Sequence, residues 1–310
     1  MTPIKNPQTL LEAVMYFSSE AVCVEFLSQI FWPDGERCCI NCGSTEIYGM
    51  RTRPVFKCRD CKKQFSIKSG TVMAKSPLPI TKWAPAIWMV VNCKNGISSY
   101  EMGRALGVSQ QTAWFMNHRI REAIANNFAE KLSGTVESDS TYIGGAEKNR
   151  HKSKKKDVPG GGGKAIVFGA VERGGNVRSK VVEGTGVQDS ENEVLSNVAI
   201  GSHLFTDEAS GYRNMHYIYD HATVNHSKGE YVVGEAHTNT IENFWSLVKR
   251  CLKGTYIHVD PLHLDRYLQE QGFRYDHRKD NDSGRFIQAA TMLFGKRLTY
   301  AELTGANKNQ

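Results

Sequence analysis

The spacing of apolar residues predicts helices in roughly the first 130 residues of the chain. Two short amphipathic helices are expected for QTLLEAVMYF and AVCVEFLSQIFW, the first capped by Asn6 with Pro7 at its first helical position. A longer apolar-faced helix is expected for ITKWAPAIWMVVNCKNG, with Asn95 and Gly96 as its stop signal.

From Gly134 onwards the pattern changes to short apolar runs separated by glycine-rich turns. Three strands are expected, for TVESDSTYIGG, AIVFGAVERGG and VRSKVVEGTG. They are followed by a helix in DSENEVLSNVAI, a strand in SHLFTDEASGY, and helices in HTNTIENFWSLVKR and PLHLDRYLQEQGFRYDHRK. This order predicts an α/β unit with a mixed sheet flanked by helices.

The segment SSYEMGRALGVSQQTAWFMNHRIREAI fits a helix-turn-helix. Its first helix runs to Leu106, a tight turn follows at Gly107, and Ser109 can cap the second helix. The second helix opens with three polar side chains suited to base edges in a major groove: Gln110, Gln111 and Thr112. An ordinary helical hairpin inside a larger domain would give the same local pattern.

Four of the eight cysteines form two close pairs that predict a zinc site. Cys39-x2-Cys42 and Cys58-x2-Cys61 are separated by fifteen residues, a spacing typical of four-cysteine zinc ligation. Residues 33–70 therefore read as a zinc ribbon, whose folding energy would come mainly from the metal. Cys38 could replace Cys39, but the x2 spacing favours Cys39.

Composition places the chain among ordinary globular proteins with a moderate basic excess. It has 310 residues, 40% of them hydrophobic and 23% charged, and a net charge of +7, which suits a polyanionic partner. No signal-like or bilayer-length apolar segment is present, so we expect a cytoplasmic protein without a membrane partner. The expected divisions are a helical segment 1–32, the ribbon 33–70, the helix-turn-helix region 71–130, the α/β domain 131–300 and a tail 301–310.

Between the first two predicted strands lies a basic, glycine-rich segment, KNRHKSKKKDVPGGGGK. Seven of its seventeen residues are Lys or Arg, so it cannot pack a core. Lys154, Lys155 and Lys156 are candidates for contact with DNA phosphate. A solvated surface loop is the alternative.

Three acidic residues predict a second metal site. Asp139 and Asp207 lie in strand-like apolar segments where an unpaired charge is costly, and Glu242 lies on a later helix. Carboxylate oxygens suit Mg2+ or Mn2+, which bind substrate phosphates. Lys249 follows Glu242 by almost two helical turns, so both side chains share a face, which could also be a solvated ion-pair face.

Several long motifs resemble the ISXO2-like, IS1595-family insertion-sequence transposases. They are VESDSTYIGG, TDEASGY, VNHSKGEYV, HTNTIENFWSLVKR and GTYIHVDPLHLDRYLQEQGFRYDHR. The cysteine ribbon and the helical region after it match the leading part of that family. The resemblance covers about residues 8 to 300.

The resemblance implies an RNase H-like catalytic fold with a DDE triad, carried over onto Asp139, Asp207 and Glu242. Asp207 and Glu242 are 35 positions apart, a separation familiar in DDE enzymes. Lys249, with Arg250 beside it, occupies the family's basic position for DNA phosphate. The expected activity is binding of the terminal inverted repeats of an insertion sequence in double-stranded DNA, followed by metal-dependent cleavage and strand transfer. Catalytic Mg2+ or Mn2+, structural Zn2+ and a homodimer or larger assembly on DNA are implied.

The sequence departs from the family pattern beside the first aspartate. Where relatives often carry V-E-V-D-E-T-Y, this chain has Ser138 and Ser140. Asn239 is a reserve candidate for the third ligand, and Glu137 lies on the same side of its strand as Asp139 and could assist. His226 and His237 are expected to have structural rather than metal-binding roles.

Two other functions stay open at this point. One is a non-catalytic DNA-binding regulator descended from such an enzyme, and the other is a nuclease that cleaves without joining ends. The complete triad disfavours the first, and the N-terminal DNA-binding modules disfavour the second.

Overall fold

The computed structural model describes residues 6–50, 53–125, 130–144, 164–224 and 237–305. Most of the predicted basic loop, including Lys154, Lys155 and Lys156, lies outside this part of the chain, as does His226. The chain divides into two compact units. One takes in the described residues of Met1–Asn126 and His277–Gln310, and the other takes in those of Asn127–Asp276.

The first unit is mainly helical. Its helices are α1 (Leu10–Tyr16), α2 (Glu20–Phe31), α3 (Ile80–Asn92), α4 (Ser99–Leu106), α5 (Gln110–Ile124), α9 (Asp282–Thr291) and α10 (Tyr300–Thr304). The two N-terminal helices occur where the apolar pattern predicts them, but the first begins later than expected. Thr9, not Asn6, caps α1, because its hydroxyl accepts from Glu12 N–H while the Glu12 carboxylate accepts from Thr9 N–H.

A small antiparallel sheet follows the first two helices, made of β1 (Ile47–Gly49), β2 (Val55–Cys58) and β3 (Gln64–Ser66). The strand order is β1-β2-β3, and Ile47 pairs with Cys58. Each strand has only three or four residues, so the sheet buries little apolar surface. Such a unit needs a further source of stability, as the cysteine pattern predicts.

The helix-turn-helix geometry is present in α4 and α5. Ser98 and Glu101 form a capping box at the start of α4, and Gly107 ends that helix in the left-handed conformation. The Ser109 hydroxyl accepts from Thr112 N–H at the start of α5. The connection is therefore three residues long.

The C-terminal residues belong to the first unit. Phe286 on α9 lies in the aromatic core beside Phe17, Phe26 and Trp88. The second unit accordingly ends at Asp276, whereas the sequence predicts a boundary at residue 300. None of the described helices is long and apolar enough to cross a membrane.

The second unit is built on a five-stranded mixed sheet. Its strands are β4 (Thr135–Ile143), β5 (Ala165–Glu172), β6 (Val177–Val182), β7 (His203–Asp207) and β8 (Asp220–Val224), in the order β6-β5-β4-β7-β8. Neighbours β4, β5 and β6 are antiparallel, whereas β7 is parallel to β4 and β8 is parallel to β7. The first four strands are predicted by the sequence. The short, half-polar β8 is not, because DHATV has too few apolar residues to stand out.

Helices cover both faces of this sheet. On one face, α6 (Val187–Asn197) contributes Val194 to a core with Val136, Phe168 and Leu204. On the other, α7 (Asn239–Cys251) and α8 (Leu264–Asp276) pack against Val167 and Val171. The mixed α/β class predicted from the sequence is confirmed. Since adjacent strand residues face opposite sides, alternate residues of β4, β5 and β7 point towards α7.

Candidate active site and zinc site

The four paired cysteines meet at one end of the small sheet. Cys39 Sγ lies 3.7 Å from Cys61 Sγ, and Cys42 Sγ lies 3.6 Å from Cys58 Sγ. All four sulfur atoms lie within 4.8 Å of one another. Four thiolates at such distances are the donor set of a structural zinc site.

Cys38 stands apart from this cluster, as the x2 spacing predicts. Its sulfur accepts a hydrogen bond of 3.3 Å from the indole N–H of Trp32. The two Cys-x2-Cys turns therefore supply the ligands, and the ribbon is suited to a structural Zn2+.

Asp139 and Asp207 lie side by side on the two central parallel strands. Glu137 pairs with Phe205 and Ser138 with Thr206, and the two aspartates directly follow this last pair. Asp139 lies two positions after Glu137, and Asp207 lies two positions after Phe205. Since alternate residues of a strand point to the same face, both carboxylates are on the side of the sheet that α7 covers. Burial is partial for each aspartate.

Glu242 lies in the first turn of α7, which packs on this same face. The helix buries Ile241, Phe244, Trp245 and Val248 against the sheet, whereas Glu242 is exposed. Its Oε1 accepts from the Thr238 hydroxyl at 3.2 Å. The fold thus brings the three acids predicted from the sequence to one side of one sheet.

Negative charges surround Asp139 in this arrangement. Burial and the nearby Asp207 carboxylate, with a smaller contribution from Glu242, raise the pKa of Asp139 to about 6. Two hydrogen bonds partly offset this effect, from Ser140 N–H to Oδ1 at 2.7 Å and from the Trp245 indole to Oδ2 at 2.9 Å. Among the described side chains, no cationic group forms an ion pair with Asp139 or Asp207. Two neighbouring aspartates of this kind are chemically suited to a divalent cation.

The three acids are less closely grouped than the four cysteines. Within the described part of the chain, the four cysteines are the one group of at least three His, Cys, Asp or Glu residues whose ligand atoms all lie within 4.8 Å of one another. The carboxylates are therefore more widely spaced than the thiolates. Carboxylates at such a spacing could still hold Mg2+, which binds proteins through few ligands and keeps several waters.

Trp245 links the helix to the sheet at Asp139. Its ring lies over Gly169, the residue that pairs with Asp139 on β5. A Cβ at position 169 would lie 2.4 Å from Cζ2 of the indole, so only glycine permits this approach. Gly169 therefore lets the indole reach the Asp139 carboxylate.

Two further residues are placed differently from the three acids: Glu137, which could assist them, and Asn239, the reserve candidate for the third ligand. Glu137 is completely buried and accepts hydrogen bonds from Thr240 N–H, Ile241 N–H and Arg173. Asn239 is exposed at the first position of α7. His237 Nδ1 lies 3.1 Å from a Glu137 oxygen, in keeping with a structural role.

An open cleft of about 410 Å3 adjoins Asp207. Arg213, His216 and His221 are among the side chains that line it. The His221 ring lies 2.9 Å from the Thr206 hydroxyl, which holds the ring beside the strand end. A cleft with cationic and imidazole groups next to a carboxylate can accept an anionic chain such as a phosphodiester.

Comparisons with known proteins agree with this geometry. Residues 131–276 match the family model of the ISXO2-like transposase domain, ending at the same Asp276 as the second unit. Residues 18–64 match the model of the transposase zinc-ribbon domain. The chain belongs to the ISXO2-like transposase family.

A protein of Halobacterium salinarum described as an uncharacterized protein in transposable element ISH50 is similar to this transposase. The two are 26% identical over 258 residues, which cover 76% of this chain and 84% of that protein. The match therefore extends beyond the transposase domain into the N-terminal part of the chain.

The predicted DNA-contact residues that fall in the described part of the transposase lie at helix ends. Gln110, Gln111 and Thr112 form the first turn of α5, where the Gln110 amide donates to the Ser99 hydroxyl and the Gln111 amide to the Tyr300 hydroxyl. Lys249 and Arg250 lie in the last turn of α7, Arg250 exposed and Lys249 half-buried.

Four residues at the site of the transposase escape prediction from the sequence. The ring of Tyr212 is buried under the strand ends, and its hydroxyl lies 3.4 Å from the hydroxyl of Ser138, which donates to Gly169 O. Trp245, Gly169 and Arg173 are the others. A glycine inside the apolar run AIVFGAVE is a signal of close approach, and Trp245 follows Glu242 by one helical turn. The partner of each could not be known without the fold.

Proposed function

We propose that this insertion-sequence transposase binds the ends of its element and catalyses metal-dependent DNA cleavage and strand transfer through Asp139, Asp207 and Glu242. The observation that carries the proposal is the convergence of these three acids on one face of the mixed sheet, with the pKa of Asp139 raised to about 6 by burial and by its acidic neighbours. The five-stranded sheet covered by helices on both faces supports the RNase H-like fold that the motifs imply.

The three carboxylates would hold Mg2+ or Mn2+. Two such ions, when bound, stabilise the attacking and leaving oxygens of a phosphodiester displacement. The protein's own contribution is to place the acids. Asp139 and Asp207 are fixed by adjacent strands, and Glu242 is carried by a helix buried on their face.

The reaction has two displacements at phosphorus. In cleavage, a water oxygen bonds to phosphorus, the bond to the 3′ oxygen breaks, and that oxygen takes up a proton to become a free 3′ hydroxyl. In strand transfer, this hydroxyl loses its proton and bonds to a phosphorus of the target, and the displaced 3′ oxygen of the target strand takes up a proton. Both steps need the attacking and leaving oxygens in line, which makes the placement of the acids decisive.

DNA recognition is assigned to several parts of the chain. The zinc ribbon and the first turn of α5, with Gln110, Gln111 and Thr112, would bind the terminal repeats. Lys249 and Arg250 would contact phosphate, since they extend from the helix that carries Glu242. Lys154, Lys155 and Lys156 keep the same proposed role. Two element ends must be processed together, so we propose a dimer or larger assembly on DNA.

Replacement of Glu242 by Gln tests the catalytic assignment. The variant keeps the side-chain size and lacks the charge that would hold a divalent ion. It should fold, retain zinc and bind element ends as the parent does, while cleavage and strand transfer with Mg2+ fall by several orders of magnitude, roughly 10^3-fold or more. Both activities are measured on one preparation with labelled element ends.

Glu183→Gln is the matched control. Glu183 is exposed directly after edge strand β6, which lies three strands from β7 in the sheet. It loses the same charge and should keep parental activity. Near-parental transfer by Glu242→Gln would remove Glu242 from the site, and a comparable loss in Asn239→Ala would make Asn239 the third ligand. Cleavage products without joined products in the parent would indicate a nuclease instead.

A further inference from the structure

Two positions before each acid of the triad lies a residue of one shared contact network. These residues are Glu137 before Asp139, Phe205 before Asp207, and Thr240 before Glu242. Arg173, directly after β5, contacts two of them and the segment leading into the third. We propose that Arg173 and Glu137 are positioning residues that fix the three acids relative to one another, an inference that rests on the proposed function.

Glu137 joins β4 to the start of α7. One of its oxygens accepts from Thr240 N–H at 2.7 Å and from Ile241 N–H at 3.0 Å, and the other accepts from the Thr240 hydroxyl at 2.7 Å. These amides belong to the first turn of α7, whose N–H groups have no partner within the helix. A carboxylate there is also favoured by the helix dipole. Glu137 thus connects the strand that carries Asp139 to the helix end that carries Glu242 by hydrogen bonds.

Arg173 extends this connection to the third element. Its Nε donates to a Glu137 oxygen at 2.7 Å, and its Nη2 donates at 3.0 Å to the carbonyl of His237, just before α7. Its guanidinium carbon lies 4.7 Å from the centre of the Phe205 ring, a cation–π contact to the strand that carries Asp207. One side chain therefore contacts β4, β7 and the entry to α7.

The network needs a carboxylate at position 137. Glu137 is completely buried and receives four donors, so all of its polar partners are within the protein. A carboxylate only accepts, whereas a glutamine amide would turn two N–H donors towards this set of donors. Glu137→Gln would therefore loosen the start of α7 although it preserves volume. Displacements of about 1 Å can slow an enzymatic reaction by around 100-fold.

Asp276→Asn provides the matched control for this substitution. Asp276 is a second buried carboxylate of the same unit, and like Glu137 it accepts from a backbone N–H, that of Val177 at 2.8 Å. Its other oxygen lies 3.8 Å from the guanidinium of Arg178. The pair joins β6 to α8 and includes no element of the triad. Both variants lose a buried charge, so a purely structural effect should be similar in the two.

The first readout is made on the zinc-bound protein without Mg2+, Mn2+ or DNA. With 15N-labelled tryptophan in the full chain, the indole N–H of Trp245 reports its hydrogen bond to Asp139, and its signal is assigned by its disappearance in Trp245→Phe. Glu137→Gln should shift this signal, while Asp276→Asn should leave it at the parental position. Arg173→Lys, which keeps the charge but loses the fork between Glu137 and His237, should shift it in the same direction and serves if Glu137→Gln does not fold.

The second readout is the binding of Mn2+, which is measured from the electron paramagnetic resonance signal of the free ion. Glu137→Gln should bind Mn2+ about 10-fold more weakly than the parent, and its strand transfer should fall about 100-fold and recover in part at high Mn2+. Asp276→Asn should show neither change. The proposal would be overturned if Glu137→Gln and Arg173→Lys both kept the parental Trp245 signal and parental Mn2+ binding. Equal losses in Asp276→Asn would also overturn it. Failure of the proposed function looks different: the parent and Glu242→Gln would then bind Mn2+ alike, whatever the Trp245 signal shows.

Discussion

Gly169→Ala should disrupt the candidate active site through a single added methyl group. The new Cβ would lie 2.4 Å and 2.5 Å from two indole carbons of Trp245 and 3.1 Å from Cδ1 of Ile241. Both neighbours lie on α7 and are buried against the sheet, so neither can swing into solvent. Either the indole rotates or the start of α7 moves away from β5. In both cases the 2.9 Å hydrogen bond to Asp139 is lost.

The magnitude follows from two contributions. Overpacking a core by one methyl group costs about 1–3 kcal/mol, and a lost hydrogen bond to a charged acceptor costs about 1.5–3 kcal/mol. Relaxation of α7 relieves part of the first while causing the second, so we expect a loss of roughly 3 kcal/mol. For a unit of this size that corresponds to a fall of about 6–12 °C in the midpoint of its thermal transition. Strand transfer should fall further than stability alone explains, because Glu242 moves with the helix.

Gly272→Ala is the control for this experiment. Gly272 lies within α8 of the same unit, and a Cβ there would find Val177 at 3.7 Å, an ordinary contact. Alanine favours a helix over glycine by about 1 kcal/mol, so this variant should be neutral or slightly stabilised.

The assay is thermal unfolding of the full chain with zinc bound, followed by strand transfer at a temperature where every variant is folded. Trp245→Phe separates the two contributions, since it loses the indole N–H without the steric clash. A Gly169→Ala protein with parental melting temperature and activity would refute the close packing of Trp245 on β5. Loss of stability with unchanged transfer would separate Trp245 from the positioning of Glu242.

Two further predictions concern the zinc ribbon and pH. Cys58→Ser, or removal of zinc by a chelator, should unfold the small sheet while the mixed sheet stays folded, because the four sulfur atoms lie within 4.8 Å of one another in one local cluster; zinc content and limited proteolysis measure this, and normal zinc binding by Cys58→Ser would count against the site. Burial and Asp207 raise the pKa of Asp139 from 3.8 to about 6. The free energy of unfolding of the zinc-bound protein, measured without Mg2+ or Mn2+, should therefore rise by on the order of 2–3 kcal/mol as pH falls from 6 towards 4. Cleavage should decline over the same fall in pH, because protons compete with the metal for the Asp139 carboxylate. If Asp139→Asn showed the same dependence of unfolding on pH as the parent, another group would be titrating.

The sequence by itself determined the local chemistry and most of the elements. Two Cys-x2-Cys pairs at a fixed spacing specify a thiolate site, because each turn brings its own two sulfur atoms together. Apolar periodicity and glycine turns located four of the five strands of the mixed sheet and the helices of the helix-turn-helix. The motifs around Asp139, Asp207 and Glu242 carried the family resemblance. Each of these signals lies within a short stretch of chain, where spacing translates directly into geometry.

Tertiary structure alone decided which distant residues meet. The polar strand Asp220–Val224 pairs with β7 by backbone hydrogen bonds, which place no demand on a recognisable side-chain pattern. Phe286 joins the aromatic core around Phe17, so the C-terminal residues belong with the N-terminal unit although nothing near them in sequence indicates it. From the sequence, Glu137 could assist Asp139, because both share a strand face. The fold buries Glu137 among the first amides of α7 and the Arg173 guanidinium. Thr240 follows Glu137 by 103 positions, so these partners of a buried charge are set by the fold and not by local spacing.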